Sequence, residues 1–361
     1  MGAVKKDNLI NLVIYTIMHF LVDLSCIFFL TGMIYVRQPS AEAVTRIAVI
    51  YNALAFALPM LLGFAADIVG QNAFTSCLGV LLILINYLVI PDIWVSVLLT
   101  GVGNGLFHIG GGRQVLHDSE YFPERDTVKK RFAPSGIFIA SGAMGVYLGR
   151  NMGVNFRNIY YVCMWIALAV CVVILAFCGF KQQDKVRKSH PAASDTGKGM
   201  LITSLLIFIV VIIRSYYGYA ASFSWNSGFL TGLIFTLCIV AGKALGGIVA
   251  DKLGVGAASI ISLGGAGITA LFAAGSPVTG CISMLLFNMT MPITLTLLAE
   301  VWHELPGFAF GALMLALFLG TLPTMVFKIR ILSTPWGLFA LCMISLALLL
   351  AAILKPSGHR A

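Results

Sequence analysis

GFAADIVG, residues 63–70, and GGIVADKLG, residues 246–254, decide the fold. Each follows a long apolar run and sets an aspartate between glycines at the same spacing. Asp67 and Asp251 stand 184 positions apart, and the pairs Gly63/Gly247 and Gly70/Gly254 keep that offset. A second landmark obeys it too: Asn104 falls on Asn288, and His108 on Pro292, polar or helix-breaking positions inside apolar runs. Two independent landmarks sharing one offset make the chain a tandem repeat.

The rest of the chain says what is repeated. Of 361 residues 59% are hydrophobic and only 10% charged, whereas soluble domains carry about a quarter charged residues. Apolar runs of about 20 residues, enough to cross a bilayer, fall at roughly 8–36, 44–66, 72–91, 93–113, 134–153, 157–180, 200–222, 227–249, 255–275, 278–301, 307–328 and 335–354. The expected fold class is an all-α membrane protein, twelve transmembrane helices in two pseudo-symmetric six-helix bundles. The only polar linker of any length, KQQDKVRKSHPAASDTGKG at 181–199, separates bundles 1–180 and 200–361. Lys5 and Lys6, then Arg125, Lys129, Lys130 and Arg131, then Lys181, Lys185, Arg187, Lys188 and Lys198, fall on one side of the membrane. That places the linker and both termini in the cytoplasm and the chain in the cell (inner or plasma) membrane; Arg37, Arg46, Lys328 and Arg330 reduce the contrast without reversing it. The opening MGAVKKDN precedes an apolar run too long for a signal peptide, with no small-residue cleavage site after it, so it leads into the first span.

The net charge of +9 belongs to these loops and implies no nucleic-acid partner. The eight cysteines lie in apolar runs without paired spacing, as small hydrophobes do. No cofactor, metal or catalytic residue is expected. There is no nucleotide-binding G-x-x-x-x-G-K-[S/T], no H-E-x-x-H and no nucleophile elbow, which excludes an ATP-driven pump as a single chain and disfavours an intramembrane enzyme. A channel has no use for two aspartate loops at a repeat offset. A metal-dependent enzyme built on His19, Asp23 and His108 is the remote alternative.

The loop pattern G-x-x-x-D-[K/R]-x-G is the signature of the major facilitator superfamily, which the whole chain resembles. It reads Gly63, Asp67, Gly70 in the first half and Gly247, Asp251, Lys252, Gly254 in the second. Glycines let helices approach, and the carboxylate accepts from a helix N-terminus or pairs with a base, a latch favouring one state of a rocking transporter. Ile68 stands where the second copy has Lys252, so the first latch is expected to be the weaker. In span five, Gly136, Gly145, Gly149 and Gly153 match the glycine skeleton of the superfamily's antiporter motif, with Arg150 in place of its proline and Val154 in place of its last glycine. Ordinary small-residue packing accounts for the same glycines equally well.

Charges in the membrane cost about 2.5–3.5 kcal/mol or more and call for a function. His19 and Asp23 share a face of span one, a candidate proton site with His108 of span four; a buried structural pair is the alternative. Asn104 and Arg113 flank His108. Arg113 either pairs with a carboxylate or holds an anion, unless it merely begins the basic loop. In span seven Arg214, with Tyr216, Tyr217 and Tyr219, is expected to form a cationic, aromatic wall, with snorkelling to the outer surface as the alternative; Asn288 and Lys243 are further cavity candidates, and Glu300 a cytoplasmic gate or pairing residue. "HFLVD" in span one, "FH" in span four and "IRSYYGY" in span seven resemble the fosmidomycin-resistance family, although Ile109 stands where members carry proline after "FH". This resemblance implies twelve helices, alternating access and proton-driven export of a small anionic or drug-like molecule. It also implies spans one and four lining one cavity, with His19, Asp23, His108 and Arg113 facing it, and a monomer in the lipid bilayer. Proton-coupled uptake of an organic anion is chemically equivalent.

Overall fold

A computed structural model describes residues 2–89, 92–120, 131–181 and 197–354. The basic residues Arg125, Lys129, Lys130, Lys185, Arg187 and Lys188, the linker from 182 to 196, and His190 and His359 lie outside the described residues. Among these described residues, ten helices are long and apolar enough to span a bilayer: α1 (Asp7–Arg37), α2 (Ala41–Val69), α4 (Ile93–Ser119), α5 (Phe132–Val154), α6 (Asn158–Cys178), α7 (Gly197–Ala220), α8 (Phe229–Leu253), α10 (Pro277–Val301), α11 (Pro306–Met325) and α12 (Pro335–Leu354). Two shorter apolar helices, α3 (Asn72–Leu88) and α9 (Val255–Ala270), take the third and ninth places, and the expected twelve follow in order.

Local chemistry sets several boundaries. Ser40 caps α2, its Oγ accepting from Ala43 N at 3.2 Å, and Ser276 ahead of Pro277 does the same for α10. Gly70 and Gly254 stop α2 and α8 with φ of 71° and 83°, a conformation costly for any residue with a Cβ. Four spans are irregular inside the membrane. α1, α2 and α9 each contain a π-turn, at Leu30–Ile34, Ala53–Ala57 and Ile260–Gly264, and α10 breaks after Asn288. Pro292 explains that break: it has no N–H for the carbonyl of Asn288, and its ring crowds the same oxygen.

α4 runs well past the expected end at 113, reaching Ser119. Arg113 is therefore inside a helix, and buried, rather than at the start of a loop.

The chain forms two compact units that do not coincide with the sequence halves. One comprises Met1–Tyr121, Ser141–Val186 and Leu305–Leu315; the other comprises Phe122–Ala140, Arg187–Glu304 and Ala316–Ala361. Each unit thus includes a helix start from the opposite half of the sequence.

Candidate functional site

The first unit holds a buried cluster of titratable groups. His19 and Asp23 sit one turn apart on α1, Asn104 and His108 one turn apart on α4, and all four are less than a tenth exposed. His19 Nε2 is 3.3 Å from Asp23 Oδ2, His108 Nε2 is 3.7 Å from Asp23 Oδ1, and the two Nε2 atoms are 2.9 Å apart. Asn104 braces both partners. Its Nδ2 donates to Asp23 Oδ1 at 3.1 Å, and its backbone carbonyl lies 2.9 Å from His108 Nδ1. A carbonyl only accepts, so Nδ1 carries the proton, and the Nε2 of a neutral His108 presents a lone pair towards His19.

α5 closes the cluster. A Cβ at Gly142 would collide with Asp23 Oδ2 and His19 Nε2. Further along, Gly145 and Gly149 lie against the backbone of Phe20 and Leu24, and Gly153 against Phe28 and Thr31. The glycine skeleton of span five thus lets α5 and α1 approach to backbone distance; Gly136 instead packs on the carbonyl of Lys243, and Arg150 is exposed.

His19, Asp23 and His108 come together as expected, and Asn104 joins them. Arg113 does not. It follows His108 by five residues, about 140° around the helix, so it faces elsewhere. Its Nε pairs with Asp67 Oδ1 at 2.7 Å, and its Nη1 donates to Asn72 Oδ1. Asp67 in turn accepts from the backbone N–H groups of Gly307 (2.9 Å) and Phe308 (2.8 Å), so it caps the start of α11. In the second unit Asp251 accepts from the N–H groups of Arg131 and Phe132 at 3.0 Å and of Ala133 at 2.9 Å, capping α5, while Glu300 pairs with Arg131 at 3.2 Å.

The first latch, expected to be the weaker because Ile68 stands where the second copy has Lys252, has a cation of its own: Ile68 and Lys252 are both exposed, and Asp67 pairs with Arg113 of α4.

From Arg113 a chain of buried amides continues. Asn72 Nδ2 donates to Gln114 Oε1, and Gln114 Nε2 to Asp118 Oδ1; Asn11 Nδ2 donates to Asp118 Oδ2, and Asn8 Nδ2 to the carbonyl of Asp118. Sequence reading missed these residues because 114–118 read as loop. Gln114 and Asp118, four apart and so on one helix face, were the available signal.

In the second unit Arg214 is only 7% exposed, and its Nη1 has no hydrogen-bond partner among the described residues. The three tyrosines expected beside it are not alike in placement. Tyr217 is fully buried, stacked on Phe287 with centroids 3.8 Å apart and its hydroxyl 3.1 Å from Ser283 Oγ. Tyr216 donates to the Ile329 carbonyl, and Tyr219 is exposed. At about 100° per residue, Tyr216 and Tyr219 lie about 160° and 140° around the helix from Arg214, and Tyr217 about 60°. Asn288 donates to its own helix at Met284 O, and Lys243 Nζ to the carbonyl of Ile139.

No protein-family model matches the chain, and no curated protein matches its sequence. Solved structures do match. A variant of the Escherichia coli fucose:proton symporter FucP aligns over 97% of this chain and 99% of its own, at 12% identity and TM-score 0.63. FucP, a major facilitator superfamily transporter, in its outward conformation gives 97%, 99%, 11% and 0.64. The human organic anion transporter MFSD10 aligns over 94% of this chain and 99% of its own, at 14% identity and TM-score 0.70. With twelve apolar helices in order and near-complete alignment to these proteins, the chain has the major facilitator fold.

Proposed function

We propose that the protein is a secondary transporter that couples movement of a small organic anion to protons by alternating access, most simply as an exporter. The observation that carries this reading is the carboxylate of Asp23 held between two imidazoles inside the membrane. Such a group is costly to bury, and a carboxylate between two imidazoles offers a proton three side chains on which to reside. Arg214 supports the anionic substrate: a buried cation with an unused donor is suited to a carboxylate, phosphonate or sulfonate. The likeness to a proton symporter and to an organic anion transporter is consistent with both. In this reading His19 and His108 share the proton with Asp23, Asp67 and Asp251 are the latches, and Glu300 acts as a gate. The halves 1–180 and 200–361, joined by a cytoplasmic linker, rock as bundles in the cell membrane, with cytoplasmic termini and a single chain as the working unit. The short matches to the fosmidomycin-resistance family favour export of a drug-like anion. Uptake by symport is the second reading, favoured by the likeness to FucP, a fucose:proton symporter.

Reconstitution into proteoliposomes under an imposed pH gradient, against a panel of anions and drugs, tests the proposal and its direction. Asp23→Asn should abolish gradient-driven accumulation while leaving substrate exchange largely intact. Accumulation by the Asn variant against a substrate gradient would remove Asp23 from the proton path.

A further inference from the structure

We propose that His19, Asp23 and His108 also form a binding site for one divalent transition-metal ion of the zinc class. Each residue offers one ligand atom, and the three atoms lie within 4.8 Å of one another, all buried. His19 Nε2 lies 2.9 Å from His108 Nε2 and 3.3 Å from Asp23 Oδ2, and His108 Nε2 lies 3.7 Å from Asp23 Oδ1, separations near the value of about 3.3 Å between donors in a tetrahedral site with roughly 2.0–2.1 Å bonds, with the carboxylate presenting a different oxygen to each imidazole. The donor set is selective: two imidazoles and one carboxylate suit Zn2+, Co2+ or Ni2+ and are foreign to Mg2+ and Ca2+, which take oxygen.

The surroundings are those of a metal site. Ligating histidines characteristically donate their other ring N–H to a carbonyl or carboxylate, fixing the tautomer that leaves a lone pair for the ion. His108 Nδ1 does this to the carbonyl of Asn104, and the Asn104 amide orients the carboxylate. The same amide leaves Oδ1 buried with no hydrogen-bond partner among the described residues, an acceptor suited to a water held on the ion. Three protein donors leave a fourth tetrahedral position for that water or for an anionic ligand. Only a glycine at position 142 lets α5 lie directly against Asp23 and His19, holding both ligand side chains in place.

The full-length protein, without a polyhistidine tag and in detergent, is titrated with Co2+ and then with Zn2+. The expected result is one Co2+ per chain with the visible absorption of a tetrahedral complex, displaced stoichiometrically by Zn2+. Asp23→Asn, and His19→Gln combined with His108→Gln, should abolish that absorption. Where a variant does not fold, X-ray absorption fine structure of the zinc-loaded wild type decides, since the first shell must contain two imidazoles. Absence of a tight equivalent overturns the proposal, as does a shell with fewer imidazoles. So does binding unaffected by the substitutions, which places the ion at another pair such as His117/Asp118 or His303/Glu304. Anion transport driven by a pH gradient in the presence of a chelator reports on the transport reading separately, so either proposal can fail alone.

Discussion

At the scale of single residues, the arrangement turns on which charges have partners. Arg113 and Asp67 form a buried ion pair with side chains 10% and 1% exposed. Removing one member of such a pair strands the other, at about 3–5 kcal/mol. Arg113→Ala should therefore lower unfolding stability in detergent by that order, and the double variant with Asp67→Asn should lose less than the sum of the two. Because Asp67 holds a cation as well as a helix start, Asp67→Asn should reduce transport at least as much as Asp251→Asn. Turnover measurements showing a clearly larger loss for Asp251→Asn would sink the assignment of Arg113 to the latch. Arg214 is the opposite case, a cation with a free donor. A charge-assisted hydrogen bond of about 1.5–3 kcal/mol predicts at least a tenfold loss of affinity for an anionic substrate in Arg214→Gln. Equal affinity in binding titrations would leave Arg214 as a structural residue. Sequence reading found His19, Asp23, Asn104 and His108 because a polar residue in an apolar run stands out. It left Arg113 open between a carboxylate partner, an anion and the loop, because that partner is distant in sequence and the helix continues beyond its last apolar residue.

At the scale of helices, contact is governed by small residues, since lipid offers apolar surfaces little reason to separate from it. α5 meets α1 through Gly142, Gly145, Gly149 and Gly153, and the first of these faces the titratable cluster. Gly142→Ala should cost about 1–3 kcal/mol by overpacking and should displace His19 or Asp23, abolishing proton-coupled transport. The control is Gly218→Ala or Gly256→Ala, helical positions where a Cβ meets nothing within 4 Å; the exchange there is neutral or stabilising. Thermal unfolding and transport measured side by side check the contrast, and equal effects at 142 and 218 would refute the packing account. The span positions were legible in the apolar runs, and the break in α10 in Pro292. The π-turns were not, because helices apolar nearly all round carry no periodicity from which a shift of register can be read.

At the scale of the whole molecule, the repeat was legible in the aspartate loops, but the exchange of helix starts between the halves was not. Nothing in the sequence at 305–308 announces that its N–H groups serve Asp67. A chain divided within 181–199 yields two fragments, neither of which contains a complete unit. The N-terminal fragment expressed alone should be polydisperse and less stable, and co-expression with the C-terminal fragment should restore a single species on size-exclusion chromatography. An N-terminal fragment as stable as the intact chain would contradict this.

The capping of α11 by Asp67 also imposes an order on biogenesis. The donors at Gly307 and Phe308 lie 240 and 241 residues downstream. At translation rates of about 5–20 residues per second, Asp67 waits roughly 12–48 s for them after its own synthesis. Asp251 waits for nothing, because Arg131, Phe132 and Ala133 are made 118–120 residues before it. Throughout that interval Arg113, translated soon after Asp67, is the partner within reach of the nascent carboxylate. Until the last sixth of the chain is made, that ion pair is the contact available to hold the carboxylate in place.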